Sequence, residues 1–224
     1  MKTSLNLTQL SHYASTQLNH FFPDDNQVNS AYIQSQVNTA IEKLEFCFEC
    51  SSNARYNSNE PFFNHLYSDH YLLFLWHLSN CIYKKGDRLD IANKLYYLNK
   101  TLHAFDCLYN TNLPDIFLIL HGAGTMLGKA EYQDYFVCYQ GCTVGASGGE
   151  YPKIGRGVIL TSHSSVIGKC SIGNNSVISS NTAIYNQDIP ESCLVYFDQK
   201  RSSLNIKLSP KREIDKYFKI DKNL

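Results

Sequence analysis

Apolar residues in the first half of the chain recur at the spacing of amphipathic helices. Over residues 28–48 they fall on one helical face, at Val37, Ile41, Leu44 and Phe48. A second helical run covers residues 68–83, and a third follows the turn at Gly86, with apolar positions at Ile91, Leu95, Leu98, Leu102 and Phe105. A polar segment rich in Ser and Asn, residues 51–61, separates the first two runs. The pattern predicts an all-helical domain over residues 1–112.

After Pro114 the helical spacing disappears, and from residue 154 the sequence repeats every six residues. The hexads are IGRGVI, LTSHSS, VIGKCS, IGNNSV, ISSNTA and IYNQDI. Their first positions form an aliphatic column of Ile154, Leu160, Val166, Ile172, Ile178 and Ile184, and their fifth positions are small, at Val158, Ser164, Cys170, Ser176 and Thr182. A helix repeats its faces every ~3.6 residues and a hairpin sheet needs longer intervals between turns, so the hexads predict a coiled parallel β-solenoid.

The phase of the hexads extends upstream and is interrupted by a glycine-rich segment. Counting back from Ile154 passes Gly148, Cys142 and Phe136, and Gly148 lies in GASGGEYPK, which predicts a loop leaving the coil. The predicted fold class is therefore α+β, with a helical domain over 1–112, a solenoid over 113–197 and a C-terminal tail over 198–224. Because a short solenoid has open ends, we expect the helical domain to cap one end and the segment after Pro190 to cover the other.

Composition excludes several function classes. Lys plus Arg and Asp plus Glu both number 20 in the 224 residues, and this balance argues against binding to nucleic acid. The longest apolar stretch, residues 71–76, is much too short for a membrane span, so a cytoplasmic protein is predicted. No signal peptide is recognisable, and the eight cysteines are therefore expected to be reduced thiols. Cys47 and Cys50 form a CxxC without a second ligand pair, which indicates two thiols on one helix.

Three segments together resemble the hexapeptide-repeat acyltransferases, and among them the serine acetyltransferase family. They are LHGAGTMLGKA (120–130), YQGCTVGASGGEYPKIGRGV (139–158) and the hexads up to Ile189. The resemblance implies a left-handed parallel β-helix, which is an exception to the usual crossover handedness. It also implies a homotrimer with active sites between protomers, acetyl-CoA as the donor and no metal. Pairing of two trimers through their N-terminal helices stays open.

The resemblance assigns the catalytic residues. His121, in HGAGTMLG, occupies the position of the family's general base, and Asp106 lies at the interval of the aspartate that orients it. An alcohol attacks a thioester only if its proton is removed as the bond forms, and an imidazole that titrates near neutrality suits that task. A carboxylate on the other ring nitrogen would fix the tautomer.

The same resemblance indicates where acetyl-CoA binds. The glycine-rich loop is similar to the family's CoA-binding loop, with Gly145, Gly148 and Gly149 as the matching glycines. Ser162 and Ser180 match small residues beside the cofactor, and Lys153 is a candidate partner for a phosphate.

Two departures from the family pattern concern the acceptor. Serine acetyltransferases have an Arg-His pair before the Pro-Lys of this loop and an Asp before the catalytic His, and these hold serine. Here Glu150, Tyr151 and Leu120 occupy those positions. A substrate carboxylate would be repelled by Glu150, so we expect a neutral hydroxyl acceptor such as a sugar or polysaccharide precursor, with Tyr151 available to stack on it. The C-terminal KIDKNL ends in Leu224 where that family commonly ends in Ile, which argues against docking to a cysteine synthase.

Three alternatives stay open. The first is a true serine acetyltransferase with a rebuilt acceptor pocket, and the second is a non-catalytic solenoid scaffold. A metal-dependent hydratase is a weaker alternative, because it would need about three converging histidines and the repeat half has only His121 and His163. His163 lies at the fourth position of its hexad, where a side chain facing solvent or a neighbouring coil is expected.

Overall fold

A computed structural model of the chain describes residues 1–220, and its N-terminal half is built on four helices. These are α1 (Leu7–Phe21), α2 (Ser30–Glu49), α3 (Ser68–Lys85) and α4 (Leu89–His103). The three predicted helices are confirmed as α2, α3 and α4. The sequence prediction missed α1, which begins with a capping box in which the Asn6 and Gln9 side chains each accept the other's backbone N–H.

The prediction of an all-helical first half is wrong in two segments, at residues 2–3 and 57–63. Three short strands, β1 (Lys2–Thr3), β2 (Asn57–Ser58) and β3 (Glu60–Phe63), form a small sheet beside the helices. β2 and β3 pair as a tight hairpin around Asn59, whose φ is +73°. The polar residues that indicated a break between helices thus also supply the turn of a hairpin.

The second half is a coil of parallel strands with three flat sheets. Sheet one contains β4 (Phe117–Leu120), β7 (Phe136–Tyr139), β10 (Ile159–Leu160), β13 (Val177–Ile178), β15 (Cys193–Asp198) and β16 (Ser203–Leu208). Sheet two contains β5 (Met126–Leu127), β8 (Thr143–Gly145), β11 (Ser165–Ile167) and β14 (Ala183–Tyr185). Sheet three contains β6 (Glu131–Tyr132), β9 (Lys153–Ile154) and β12 (Ser171–Ile172). The predicted solenoid is confirmed.

Burial of the hexads follows the predicted pattern. Every first-position residue from Ile154 to Ile184 is at most 2% exposed, and the small fifth-position residues are also buried. Aliphatic side chains fill the centre of the coil, and small residues fit where the backbone turns. The column of aliphatic first positions and the column of small fifth positions therefore explain why this sequence forms a coil instead of hairpins.

The glycine-rich loop leaves the coil between sheet two and sheet three. Ile154 pairs with Ile172 of the next coil, and Val144 pairs with Val166 of the next coil. The stretch of chain between Val144 and Val166 is the longer of the two, because it contains the loop. The loop, residues 146–152, takes up the extra length. The corner between sheet one and sheet two is a different one, and it carries residues 121–125 in the first coil.

The helical domain packs on the first coil, and the C-terminal segment ties the two together. Trp76 packs edge-on against Phe117 at 5.5 Å, and Cys47 Sγ donates to the Phe117 carbonyl. After the antiparallel β15–β16 hairpin, which crosses the predicted 197/198 boundary, the chain returns along the coil to a short 3-10 helix (Glu213–Lys216). Phe218, 1% exposed, then bridges to Ser51 at the end of α2. The C-terminal Leu224 lies outside the described residues.

Candidate active site

His121 lies at the first corner of the coil, directly after β4. Its φ is +54°, in the left-handed region that few non-glycine residues adopt, and its side chain is exposed. The carbonyl of His121 accepts a hydrogen bond from the N–H of Ala123 at 2.6 Å, which closes a tight turn. The conformation turns the imidazole away from the line of the strand and out of the coil.

A cavity of about 490 Å³ opens beside this turn. It lies between the start of α3, the end of α4 and the His121 turn. Its wall is formed by Ser68, Asp69, Leu72, Thr101, Leu102, His103, Ala104, His121, Gly122 and Ala123. A cavity of this size accommodates a small acceptor molecule.

Asp69, in the first turn of α3, is hydrogen-bonded to the His121 turn. Both of its carboxylate oxygens accept a hydrogen bond from the backbone N–H of His121, each at 3.1 Å. Asp69 is only 3% exposed. The start of a helix stabilises a carboxylate through its unpaired N–H groups, so this buried charge has local support.

His103, the other histidine of the cavity wall, is not a candidate base near neutral pH. Burial lowers the pKa of its imidazole to about 4, although an interaction with the Asn99 backbone opposes this shift. Its Nδ1 lies 2.8 Å from Asn99 Oδ1, and the Asn99 amide donates to the Leu72 carbonyl at 3.0 Å. His103 therefore belongs to a neutral network that joins α4 to α3.

Within one chain, Asp106 is bonded to groups other than His121. Its carboxylate accepts hydrogen bonds from the Tyr96 hydroxyl at 2.6 Å and from Lys100 Nζ at 2.7 Å. Burial raises the pKa of the Asp106 carboxyl, but these hydrogen bonds outweigh burial and hold the pKa below its ordinary value. The orienting role of Asp106 toward His121 stays a prediction.

Tyr139, at the end of β7, is a neighbour of His121 that is itself bonded to the C-terminal segment. The His121 ring lies 6.4 Å from the ring of Tyr139, centroid to centroid. The Tyr139 hydroxyl is 2.9 Å from that of Tyr217, which immediately follows the 3-10 helix. Tyr139 thus connects the returning C-terminal segment to the corner that carries the imidazole.

The predicted CoA-binding loop has open backbone and nearby lysines. Gly148 and Gly149 adopt φ values of +59° and +82°, and a Cβ added at Gly145, Gly148 or Gly149 would meet no atom within 4 Å. Ser147 and Glu150 exchange backbone hydrogen bonds that close the loop at 3.0 and 3.1 Å. This conformation is accessible to glycines and leaves backbone groups exposed for a ligand.

The charged residues of the loop region pair with one another. Glu150 lies 3.9 Å from Lys169, and Lys153 lies 3.3 Å from Glu131. Lys129 Nζ lies 4.7 Å from the centre of the Tyr151 ring, which is 41% exposed. The predicted acceptor residues Glu150 and Tyr151 are therefore at the surface beside three lysines.

The remaining predicted residues lie at the His121 corner but in lower coils. The Ser180 hydroxyl is 3.2 Å from that of Thr161, and Asn181 donates its N–H to the Ser162 carbonyl. His163 is exposed, as expected, with φ of +61°, and its ring lies against Gly141. The loop glycines and His121 thus occupy different corners of one chain, while Ser162 and Ser180 stand below His121.

Sequence reasoning missed Asp69, Tyr139 and Tyr217. Asp69 had one local signal, because an acidic residue in the first turn of a helix is typical of a helix start. Its contact with His121 joins residues 52 positions apart, and no local pattern encodes it. The two tyrosines are 78 positions apart and meet only because the C-terminal segment folds back.

Over residues 1–220, no group of three or more His, Cys, Asp or Glu side chains is arranged to hold a metal ion. In the same part of the chain, no helix is both long and apolar enough to cross a membrane. All eight cysteines are free thiols.

No family model and no curated protein matches the chain. Solved structures do match. Serine acetyltransferase from Neisseria gonorrhoeae superposes with a TM-score of 0.69 at 19% identity, over 94% of this chain and 83% of that one. The Brucella abortus enzyme gives 0.68 at 18%, over 92% and 85%. A serine acetyltransferase in complex with CoA gives 0.67 at 15%, over 90% and 85%. The chain therefore has the fold of the serine acetyltransferases, a helical domain followed by a hexapeptide-repeat β-solenoid.

Proposed function

We propose that the protein is an acetyl-CoA-dependent O-acetyltransferase in which His121 is the general base. The observation that carries the proposal is an exposed imidazole, held in a left-handed turn, on the wall of a cavity of about 490 Å³. The fold similarity to a serine acetyltransferase in complex with CoA supports acetyl-CoA as the donor. His103 does not compete for the role, because burial lowers its pKa to about 4.

The chemistry needs one group that can take and return a proton. His121 accepts the proton of the acceptor hydroxyl as its oxygen attacks the thioester carbonyl of acetyl-CoA. The carbon–sulfur bond then breaks, and the same proton passes from the imidazolium to the departing CoA thiolate. One imidazole thus serves both halves of the transfer, and no net proton is gained or lost.

The residues of the glycine-rich loop fit a CoA molecule. Gly145, Gly148 and Gly149 leave open space beside the backbone, where a pantetheine arm could lie. Lys153 is proposed as a partner for a phosphate, because its side chain is 65% exposed and its ion pair is with Glu131, which is exposed as well. Ser162 and Ser180 complete the proposed CoA site on the coils below.

A homotrimer would bring the glycine-rich loop and His121 together. Within one chain they lie at different corners of the coil, at residues 146–152 and 121–125 respectively. In a homotrimer of parallel coils, the loop corner of one protomer can face the His121 corner of the next. We therefore propose three active sites per trimer, each between two protomers.

For the acceptor, we propose a neutral hydroxyl compound such as a sugar or polysaccharide precursor. Glu150 keeps a carboxylate where serine acetyltransferases have an arginine, and its pairing with Lys169 at 3.9 Å is weak and exposed. Tyr151 offers an exposed ring for stacking on a sugar. L-serine is the second candidate, because the fold is that of serine acetyltransferases. Asp106 is retained as the proposed orienting residue of His121.

The acceptor is tested by release of CoA thiol from acetyl-CoA with purified protein. L-serine, amino alcohols, nucleotide sugars and oligosaccharides are compared at equal concentration, with CoA binding measured separately by calorimetry. Release that depends on a sugar and not on serine supports the proposal. Release with serine alone contradicts the sugar assignment and leaves the transferase. Absence of both release and CoA binding contradicts the transferase and favours a scaffold.

A further inference from the structure

We infer that Asp69 is a positioning residue that holds the backbone of His121 in its left-handed turn. This inference rests on the proposed role of His121 as the base. The turn places the imidazole at the cavity, and its conformation is unfavourable for a residue with a Cβ. At the same corner of a later coil, His163 has a similar φ and donates its N–H to the Gln140 carbonyl of the preceding coil. His121 lies in the first coil and donates its N–H to Asp69 instead. The only side chain of the described residues that bonds to the His121 backbone is Asp69.

The geometry of this contact suits a clamp on the main chain. The N–H of His121 lies at 3.1 Å from each oxygen of the carboxylate, so it is shared between the two. A hydrogen bond to an ionised acceptor is stronger than a neutral one. A different φ at His121 would redirect this N–H and break the bond.

The helix behind Asp69 fixes the clamp in place. Leu72 lies one turn further along α3 and packs against Gly122, the residue after His121. The Leu72 carbonyl accepts from Asn99 of α4, and Asn99 in turn contacts His103. The start of α3 thus contacts two consecutive residues of the turn and is itself tied to α4.

Burial favours positioning over direct contact with an acceptor. Asp69 is 3% exposed, so little of its carboxylate can reach a molecule in the cavity. Its remaining polar neighbour is the Tyr67 hydroxyl, at 3.5 Å. A residue that mainly recognised a cationic acceptor would present more of its oxygens to the cavity.

The test compares Asp69→Asn and Asp69→Ala with matched changes at Asp90. Asp90 also lies in the first turn of a helix, α4, but it pairs with Arg88 and lies away from the cavity. Asparagine keeps an oxygen that can accept the His121 N–H, whereas alanine removes it. Steady-state kinetics give kcat and the KM for acetyl-CoA. Amide hydrogen exchange is carried out on the intact protein and detected in the fragment of residues 117–125. Its rate at His121 reports whether the turn is held, independently of activity.

We expect Asp69→Ala to lower kcat by about 10–100-fold with an unchanged KM for acetyl-CoA, a loss of the size that misplacing a catalytic group causes. Asp69→Asn should stay within a few fold of the wild type, and exchange at His121 should be faster in Asp69→Ala alone. Both Asp90 variants should match the wild type. If Asp69→Ala keeps wild-type kcat and exchange, the inference is overturned.

A second pattern would also overturn it. If Asp69→Asn loses as much as Asp69→Ala, and the loss is in the KM for amine-bearing acceptors, then the charge contacts the acceptor directly. Failure of the proposed function is distinguishable from these two outcomes. In that case the wild type shows no His121-dependent turnover, while faster exchange in Asp69→Ala alone still supports the clamp.

Discussion

Gly122 and Leu72 are in such close contact that a single added carbon would not fit between them. A Cβ at Gly122 would lie 2.4 Å from Leu72 Cδ1 and 2.9 Å from Ile119 Cγ2. Steric contact, and not a left-handed φ, therefore requires glycine at this position. The helical domain and the first coil meet at the residue next to the proposed catalytic base.

Gly122→Ala is accordingly expected to destabilise the protein by about 1–3 kcal/mol, because a methyl group must be forced into a packed contact. Gly145→Ala is the matched control, since a Cβ there meets no atom within 4 Å, and it should change stability by less than about 0.5 kcal/mol. Chemical denaturation of the two variants measures the difference. Equal stability of the two would contradict the packing described for Leu72.

The lowered pKa of the Asp106 carboxyl predicts that its contribution to folding stability depends on pH. Because the pKa of its carboxyl is lowered in the folded protein, it stabilises the fold when ionised, fully above the unfolded value of 3.8. This contribution is lost as pH falls through the lower folded pKa. Asp106→Asn should therefore reduce stability by on the order of 1 kcal/mol near neutral pH and have progressively less effect below pH 3.8. A difference from wild type that did not change with pH would be inconsistent with this.

The predicted orienting role of Asp106 is tested by activity. If its carboxylate orients His121 in the assembled protein, Asp106→Asn should lower kcat by about tenfold or more. Lys100→Met removes one partner of the carboxylate in a single chain without removing the carboxylate, and it should affect kcat much less. An Asp106→Asn enzyme with wild-type kcat would show that the carboxylate serves only the contact with Tyr96 and Lys100.

Phe218 anchors the returning C-terminal segment and should matter for stability. It is 1% exposed, and it packs edge-on against Tyr135 at 5.4 Å. Phe218→Ala is expected to cost about 3–5 kcal/mol. Phe46→Ala, at a position that is 51% exposed, should cost much less. Thermal unfolding of both variants provides the comparison, and a similar melting temperature would mean that the segment is not held as described.

The number of cysteine thiols that react with a reagent tests which cysteines are buried in the core. Cys50 and Cys81 are partly exposed, and the other six, Cys47, Cys107, Cys138, Cys142, Cys170 and Cys193, are buried. Burial raises the pKa of the Cys50 and Cys81 thiols, so even these should react slowly near neutral pH. With a thiol reagent, the native protein should expose no more than these two, and the denatured protein all eight. Fewer than eight after denaturation without reductant would indicate disulfides.

The fold could be predicted where residues that pack against each other also recur at a fixed interval in the sequence. The aliphatic column from Ile154 to Ile184 recurs at a fixed interval, so each residue defines its own place in the coil. The helix α1 was missed because its buried face combines Leu10 and Leu18 with the small or polar residues Ser11, Ala14 and Ser15, which weakens the apolar pattern. The hairpin around Asn59 was missed because its strands are only a few residues long.

The site could be predicted only in part, for the same reason. His121 stands in a recognisable segment, whereas its contact with Asp69 depends on how α3 packs across the first coil. Tyr139 and Tyr217 meet because the chain returns from the far end of the coil. Such contacts follow from tertiary packing, which a local pattern of residues does not encode.

The most direct test of the account compares His121→Ala with His163→Ala. Both histidines are exposed, both adopt a left-handed φ, at +54° and +61°, and both lie at the same corner of the coil. With acetyl-CoA and an accepted hydroxyl substrate, His121→Ala should lower kcat by about 10²–10⁴-fold, whereas His163→Ala should stay within a few fold of wild type. Turnover that survives loss of His121, or that is lost equally with His163, would contradict the assignment of His121 as the general base.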